Sequence, residues 1–381
     1  MTKEIYMMYY PKILAFISLC FFSIIAGAQT LFTKYEGNPV LRVGHDGSWE
    51  SKQVSHPRIL FDGELYRMWY AGNNDTCRQI GYATSADGLT WAKYPGNPIL
   101  RVGPRGAIDD HVVSPGAVVY DGTNYHMYYT ARSYTNTGVI CHAISSDGIS
   151  WTKDDANNPV LKRGDPGWWD DYGLSAGPVL KQGKQWKMWY NGFRSDTRWQ
   201  SGIATSSDGI NWIKDTLHNP LFESGEAGTW DEYEQWIADV LPDSSYYEAF
   251  YFGNTKQRAI GYAASKDGIA WGKYGGNPIL TTEHSTDDKE GLFQSCVVKE
   301  RDVYKIWYRW HNCADLFYTQ RSIHARKRTR KGRQKLCSEQ TGSERGEGKQ
   351  ERGETGREDR GAERDESYLR ERHQDSRGKD V

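Results

Sequence analysis

The sequence predicts an all-β fold: a five-bladed β-propeller of four-stranded antiparallel blades, closed by its own N-terminal strand. Three observations predict it. An Asn-Pro-apolar step recurs at Asn38, Asn97, Asn158, Asn219 and Asn277, at intervals of 59, 61, 61 and 58 residues. An aromatic run recurs at Tyr66–Tyr70, Tyr125–Tyr129, Trp186–Tyr190, Tyr247–Tyr251 and Tyr304–Tyr308. Asp-Gly-apolar-x-Trp recurs at Asp87–Trp91, Asp147–Trp151, Asp208–Trp212 and Asp267–Trp271. Three markers in one register at one period mark a repeat architecture. The 15 Trp, 25 Tyr and 40 Gly in 381 residues favour strands and turns over helices.

Each unit holds four strand-like runs. In the first these are Val54–Phe61, Tyr66–Ala71 after Asp62-Gly63, Gln79–Ser85, and Trp91–Tyr94 after Asp87-Gly88. Asp-Gly between apolar runs is a hairpin signal, and four antiparallel strands repeated radially make a propeller blade. The fifth unit lacks its Asp-Gly-x-x-Trp and breaks off after Leu316–Thr319. Residues Leu31–Gly37 match Thr90–Gly96, so the N-terminal segment supplies the missing outer strand. Closure of this kind removes two sheet edges; an open solenoid would need caps that the sequence does not show.

The two ends read differently. Residues 1–28 have Lys3 and Lys12 ahead of an apolar run from Ile13 to Ile25 and then Ala26-Gly27-Ala28, the layout of a signal peptide cleaved after Ala28. Cys20 lies in a poor lipid-attachment context, so no membrane anchor is expected, and the mature protein is expected to be secreted or periplasmic. Residues 321–381 carry 18 of the 48 basic and 13 of the 49 acidic residues with almost no apolar side chain between them. Such a tail cannot offset its ordering entropy and reads as disordered. Its basic patch Arg326–Lys331 reads as solvated, and the overall net charge of −1 gives no reason to expect nucleic acid. A monomer is expected.

Topology sorts the loops by face. Segments leading into each innermost strand, and those joining second to third strands, open on one upper face. Carboxylates gather there at Glu50, Asp109, Asp110, Asp170, Asp171, Asp231, Glu232, Glu234, Asp287 and Asp288, with cations and imidazoles at His56, His111, Arg132, Arg194, Arg258, Arg309 and His311. Converging carboxylates suit glycoside hydrolysis, in which one acid protonates the leaving oxygen and another activates water or attacks carbon, and clustering raises one pKa. A Trp-acid pair repeats at Trp49-Glu50, Trp169-Asp170 and Trp230-Asp231, so Glu50, Asp170 and Asp231, with Asp109 in blade two, read as strand caps. Asp110, Asp171, Glu232 and Glu234 are the candidate catalytic acids. His56, His111, Arg132, Arg194 and Asp239 are candidate substrate contacts, and Trp199, Trp236 and Trp310, off the repeat, are candidate sugar platforms. Trp69, Trp189, Trp307 and the Trp of each Asp-Gly-apolar-x-Trp read as packing.

Blades of the form Asp-Gly-x-x-Tyr-x-Met-Trp-Tyr followed by Ile80–Ser85 (Ile-Gly-Tyr-Ala-Thr-Ser) resemble the five-bladed propeller glycosidases, glycoside hydrolase families 43 and 32, over roughly residues 30–320. The resemblance implies an Asp base, a pKa-tuning Asp and a Glu acid opening the inner strands of blades one to three. Those positions fall on His56-Pro57, Ser114-Pro115 and Ala176-Gly177-Pro178, and none is a carboxylate. The expected function is thus a glycoside hydrolase-like protein working with other upper-face acids, with a non-catalytic carbohydrate-binding propeller as the alternative and a protein-interaction platform as a third. No Cys-x-x-Cys spacing indicates zinc, and no phosphate loop or serine elbow is present. No cofactor is expected, although the acids leave room for a channel Ca²⁺. Export permits a disulfide, and Cys296–Cys313 within blade five is the expected pair.

Overall fold

A computed structural model describes residues 32–322 except 136, 195–197, 223–224, 255–257, 282–290 and 311–313, with no account of the side chains of Gln294 and Trp310. The expectations for residues 1–28 and 323–381, and for Asp287, Asp288 and His311, lie outside these residues. The strands fall in blades as the repeat requires. β1 (Thr33–Lys34) stands apart at the N-terminus. Blade one is β2 (Gln53–Phe61), β3 (Tyr66–Asn73), β4 (Arg78–Ser85) and β5 (Ala92–Lys93). Blade two is β6 (Val112–Tyr120), β7 (Tyr125–Arg132), β8 (Val139–Ser145) and β9 (Thr152–Lys153). In blade three the inner strand is split into β10 (Gly173–Ser175) and β11 (Val179–Gln182), followed by β12 (Gln185–Phe193), β13 (Gln200–Ser206) and β14 (Ile213–Lys214). Blade four is β15 (Glu234–Pro242), β16 (Tyr247–Asn254), β17 (Arg258–Ser265) and β18 (Gly272–Lys273). Blade five is β19 (Leu292–Glu300), β20 (Val303–Trp310) and β21 (Leu316–Ser322). β1 pairs antiparallel with β21, Thr33 opposite Gln320, and so completes blade five as the sequence predicts.

The three sequence markers each have a structural task. The Asn of every Asn-Pro step, whose peptide bond is cis in all five, splices its side chain into the third strand. Asn97 Nδ2 donates to the Tyr82 carbonyl at 2.9 Å while its Oδ1 accepts from the Tyr82 amide at 2.8 Å. Asn38 does the same to Tyr318 across the closure, at 2.9 and 2.8 Å. The aromatic runs fill the core, where Trp69, Trp189, Trp307, Tyr128 and Phe250 are fully buried. In four blades the central aromatic also reaches the Asp-Gly turn of the next blade. Trp69 Nε1 donates to Gly148 O, Tyr128 Oη to Gly209 O, Trp189 Nε1 to Gly268 O and Trp307 Nε1 to Gly88 O, all at 2.8 Å. The last of these joins blade five to blade one.

The chain of ring-to-turn bonds is broken at one junction. Blade four offers Phe250, which has no donor, and blade five has no Asp-Gly turn to receive one. Polar groups take over there: the Val297 amide donates to Asp239 Oδ2 at 2.7 Å. Lys299 Nζ lies 3.0 Å from Glu248 Oε2, and Tyr304 Oη donates to Glu248 Oε1 at 2.6 Å. A hydrogen-bonded carboxylate that is nearly fully buried is tolerable because its partners replace its water.

Candidate functional site at the channel mouth

Every inner strand is interrupted at the same level. The register slips at His56-Pro57, at Gly116, at Ala238 and at Gln294-Ser295, and Ala176-Gly177-Pro178 separates β10 from β11. A bulge bends its strand and re-aims a side chain. The five interruptions gather about the propeller axis. Arg58 Nη1, from blade one, donates to Ser295 O of blade five at 3.0 Å and Ala238 O of blade four at 3.3 Å. A Cβ on Gly116 of blade two would sit 2.1 Å from Ala176 Cβ of blade three, so only glycine fits that approach. Asn191 Nδ2 of blade three donates to Ile237 O of blade four at 3.2 Å.

His56 stands where the family resemblance places a carboxylate. Its backbone is left-handed, φ 50°, a conformation costly for an imidazole-bearing residue and held here by the bulge and Pro57. Its Nδ1 lies 3.0 Å from Ser55 Oγ. Burial, and then the nearby charges of Arg78, Arg309 and Arg58, hold its pKa well below the ordinary histidine value, so the ring is neutral at pH 7. Arg258 extends the cluster: its guanidinium lies 4.2 Å from the centroid of the Phe293 ring, which Arg309 shares at 5.3 Å. Two acids face these four arginines. Glu234 Oε2 makes a loose 3.5 Å contact with Arg258 Nη2. Asp239 accepts from the Val297 and Val240 amides, and burial raises its pKa.

The repeated acids have repeated partners. Glu50, Asp109, Asp170 and Asp231 are nearly fully buried and pair with the outer-strand lysines Lys93, Lys153, Lys214 and Lys273 at 2.6, 2.6, 2.6 and 2.9 Å. These are structural ties, as the repeat implies. The candidate catalytic acids Asp110, Asp171 and Glu232 also follow a rule that the sequence reading missed. Each accepts the amide of the glycine four residues earlier: Gly106 at 2.7 Å, Gly167 at 2.7 Å and Gly228 at 2.8 Å. The Gly106 amide, with that of Tyr134, holds the Asp110 carboxyl below the usual range. Gly-x-x-x-acid was the signal for this turn lock. Glu234 is the one of the four that leaves the turn, opening β15.

Aromatic side chains rim the other side of the mouth. His111, Tyr172 and Tyr233 are equivalent residues, each leading into an inner strand, with amides donating to Arg132 O, Phe193 O and Asn254 O. His111 stacks on Tyr134, ring centroids 4.3 Å apart. Tyr172 meets Phe193 at 5.4 Å, and Phe193 meets Trp199 at 4.2 Å. The Arg198 guanidinium lies 3.8 Å from the Tyr233 ring centroid. Trp236 packs between Phe252 and Phe293 beneath Arg258, half-buried. Arg132 ends β7 exposed, and Arg194 Nη1 donates to Gly167 O at 3.3 Å. The expectation for the Trp310 side chain lies outside what is described. Cys296 is a free buried thiol accepting the Ile59 amide at 3.3 Å, with its pKa raised by burial. This corrects the expected Cys296–Cys313 bridge, since Cys296 faces blade one. Among the described residues no group of three or more His, Cys, Asp or Glu side chains is placed to hold a metal ion.

The strand order defines a five-bladed β-propeller. The family model described as beta-1,4-mannooligosaccharide phosphorylase matches residues 5–204, and the chain belongs to that family, glycoside hydrolase family 130. This corrects the resemblance to families 43 and 32, which share the propeller but not the family. The family comprises glycoside hydrolases and phosphorylases acting on mannosidic linkages. An uncharacterized protein of Mycobacterium tuberculosis is 26% identical over 257 residues, covering 63% of this chain and 82% of its own. A glycosyl hydrolase from Bacteroides ovatus has the same fold, with a TM-score of 0.62 at 17% identity over 77% of this chain and 94% of its own. The beta-1,2-mannobiose phosphorylase from Listeria innocua is similar at a TM-score of 0.61 and 14% identity, over 77% of this chain and 97% of its own.

Proposed function

We propose that the chain is an exported mannoside phosphorylase that splits a β-mannosidic bond with inorganic phosphate at the upper mouth of the propeller. One observation carries this reading: three arginines, Arg58, Arg78 and Arg309, surround a neutral His56 at the bulge of the first inner strand. Cations outnumber carboxylates there, and phosphate is already an anionic nucleophile that cations hold. A phosphate oxygen bonds to the anomeric carbon, the glycosidic C–O bond breaks, and the departing oxygen takes a proton. Glu234 supplies that proton. Phosphate on Arg258 and Arg309 competes with Glu234 for its loose 3.5 Å contact with Arg258. Asp110, Asp171 and Glu232, locked by glycine amides, shape the turns and take no part.

Incubation with β-1,4- and β-1,2-mannobiose, with and without phosphate, tests the assignment by product chromatography. Mannose 1-phosphate formed only with phosphate is expected, and Glu234→Gln should slow it roughly 100-fold. Free mannose in both arms would replace phosphorolysis by hydrolysis. The absence of carboxylates at positions 56, 114 and 176 favours one second reading, a propeller that binds mannosides without turnover; binding with no product in either arm would establish it.

A further inference from the structure

We infer that His111, Tyr172 and Tyr233 form a chain-binding rim, on which successive sugar rings of a mannooligosaccharide longer than a disaccharide stack as they leave the cationic pocket. This rests on the mannoside reading of the same mouth. The three occupy one repeat position, the residue before the inner strand, in blades two, three and four, while blade one has Lys52 there. Flat side chains therefore come one per blade along half the mouth and end where the arginines begin.

The rings are built to stay exposed. Tyr172 is 36% and Tyr233 48% exposed, although each is backed, Tyr172 by Phe193 and Tyr233 by Arg198. Tyr134, stacked on His111, is itself covered by Arg105 with the guanidinium 3.9 Å from its centroid. A backed ring has lost its rotamer freedom before ligand arrives, so stacking costs less entropy. The backing also decides the occupant. A protein partner wants a contiguous apolar patch, and here polar and charged residues separate the rings. A pyranose chain presents one apolar face per sugar with hydroxyls between, which matches isolated flat rings set among hydrogen-bonding groups.

The test is calorimetric titration of the full chain, without phosphate, with β-1,4- and β-1,2-mannooligosaccharides of two to six units. Affinity should rise with length, and Tyr172→Ala or Tyr233→Ala should each remove roughly fivefold of that gain while leaving mannobiose affinity unchanged. Tyr172→Phe, which keeps the ring, should restore it. Equal affinity for the disaccharide and hexasaccharide, no binding at any length, or a gain that survives both alanine variants would overturn the rim. Binding strengthened by length but with no mannose 1-phosphate upon adding phosphate would keep the rim and defeat phosphorolysis instead.

Discussion

The two halves of the propeller mouth are built from the same repeat and end in opposite chemistry. At the repeat position before the inner strand, blades two to four carry His111, Tyr172 and Tyr233, and blade one carries Lys52. Opposite the buried central aromatic, the inner strands carry Arg58, Ala117, Pro178, Asp239 and Cys296 in turn. Repeat positions tied to lysine pairs, asparagine splices and ring-to-turn bonds hold the blades. Positions facing the axis are released from that duty, and there the blades diverge into a cationic half and an aromatic half.

Removing the arginine that crosses the axis should do the most damage. Arg58→Met leaves the Ala238 and Ser295 carbonyls without their donor and Asp239 without its nearest cation, and should cost roughly 4 kcal/mol in chemical denaturation. A loss below 1 kcal/mol would mean that the cationic half is an ornament on a fold held elsewhere.

The halves also differ in acid. In blade two, His142 is buried, faces His126 Nδ1 at 3.0 Å, and has its pKa lowered to about 4 by burial and then by the His126 charge. The unfolded state therefore binds a proton near pH 6.5 that the folded state refuses until about pH 4, so stability falls as pH drops through this window. Its full extent is roughly 3 kcal/mol. His142→Gln should flatten that part of the profile, and His56→Gln the part arising in the cationic half; an unchanged profile in either variant would remove that histidine from the explanation.

A smaller effect is expected where the repeat is most regular. Lys214→Met strands Asp170, which is 1% exposed, but Tyr190 still donates to that carboxylate at 3.0 Å. A cost of about 2 kcal/mol in thermal or chemical unfolding is predicted, with no change in sugar affinity. Tyr134→Ala, which removes only the exposed backing of His111, should cost less than about 0.5 kcal/mol.

How much of this was legible in the sequence depended on range. The five blades were, because Asn-Pro, aromatic run and Asp-Gly act locally and recur; so was the closure, because Leu31–Gly37 repeats Thr90–Gly96. The structural part of Glu50, Asp109, Asp170 and Asp231 showed as repetition. The turn lock of Asp110, Asp171 and Glu232 was present as a glycine four residues before each acid, yet three recurring carboxylates on one face resembled catalysis more than turn chemistry. The cationic pocket was not legible. Arg58 and Arg78 belong to blade one and Arg309 to blade five, and only ring closure brings them to one imidazole. The free state of Cys296 was equally hidden, since it depends on which wall of a bulged strand the thiol faces.

Titration of inorganic phosphate into the protein at constant ionic strength, followed as a shift in unfolding temperature, tests the cationic half most directly. Saturable stabilisation that Arg309→Met abolishes and that Tyr172→Ala leaves intact is the expected result. Stabilisation no greater than that given by chloride at the same ionic strength would contradict an anion site at His56, and with it the phosphorolytic reading of the mouth.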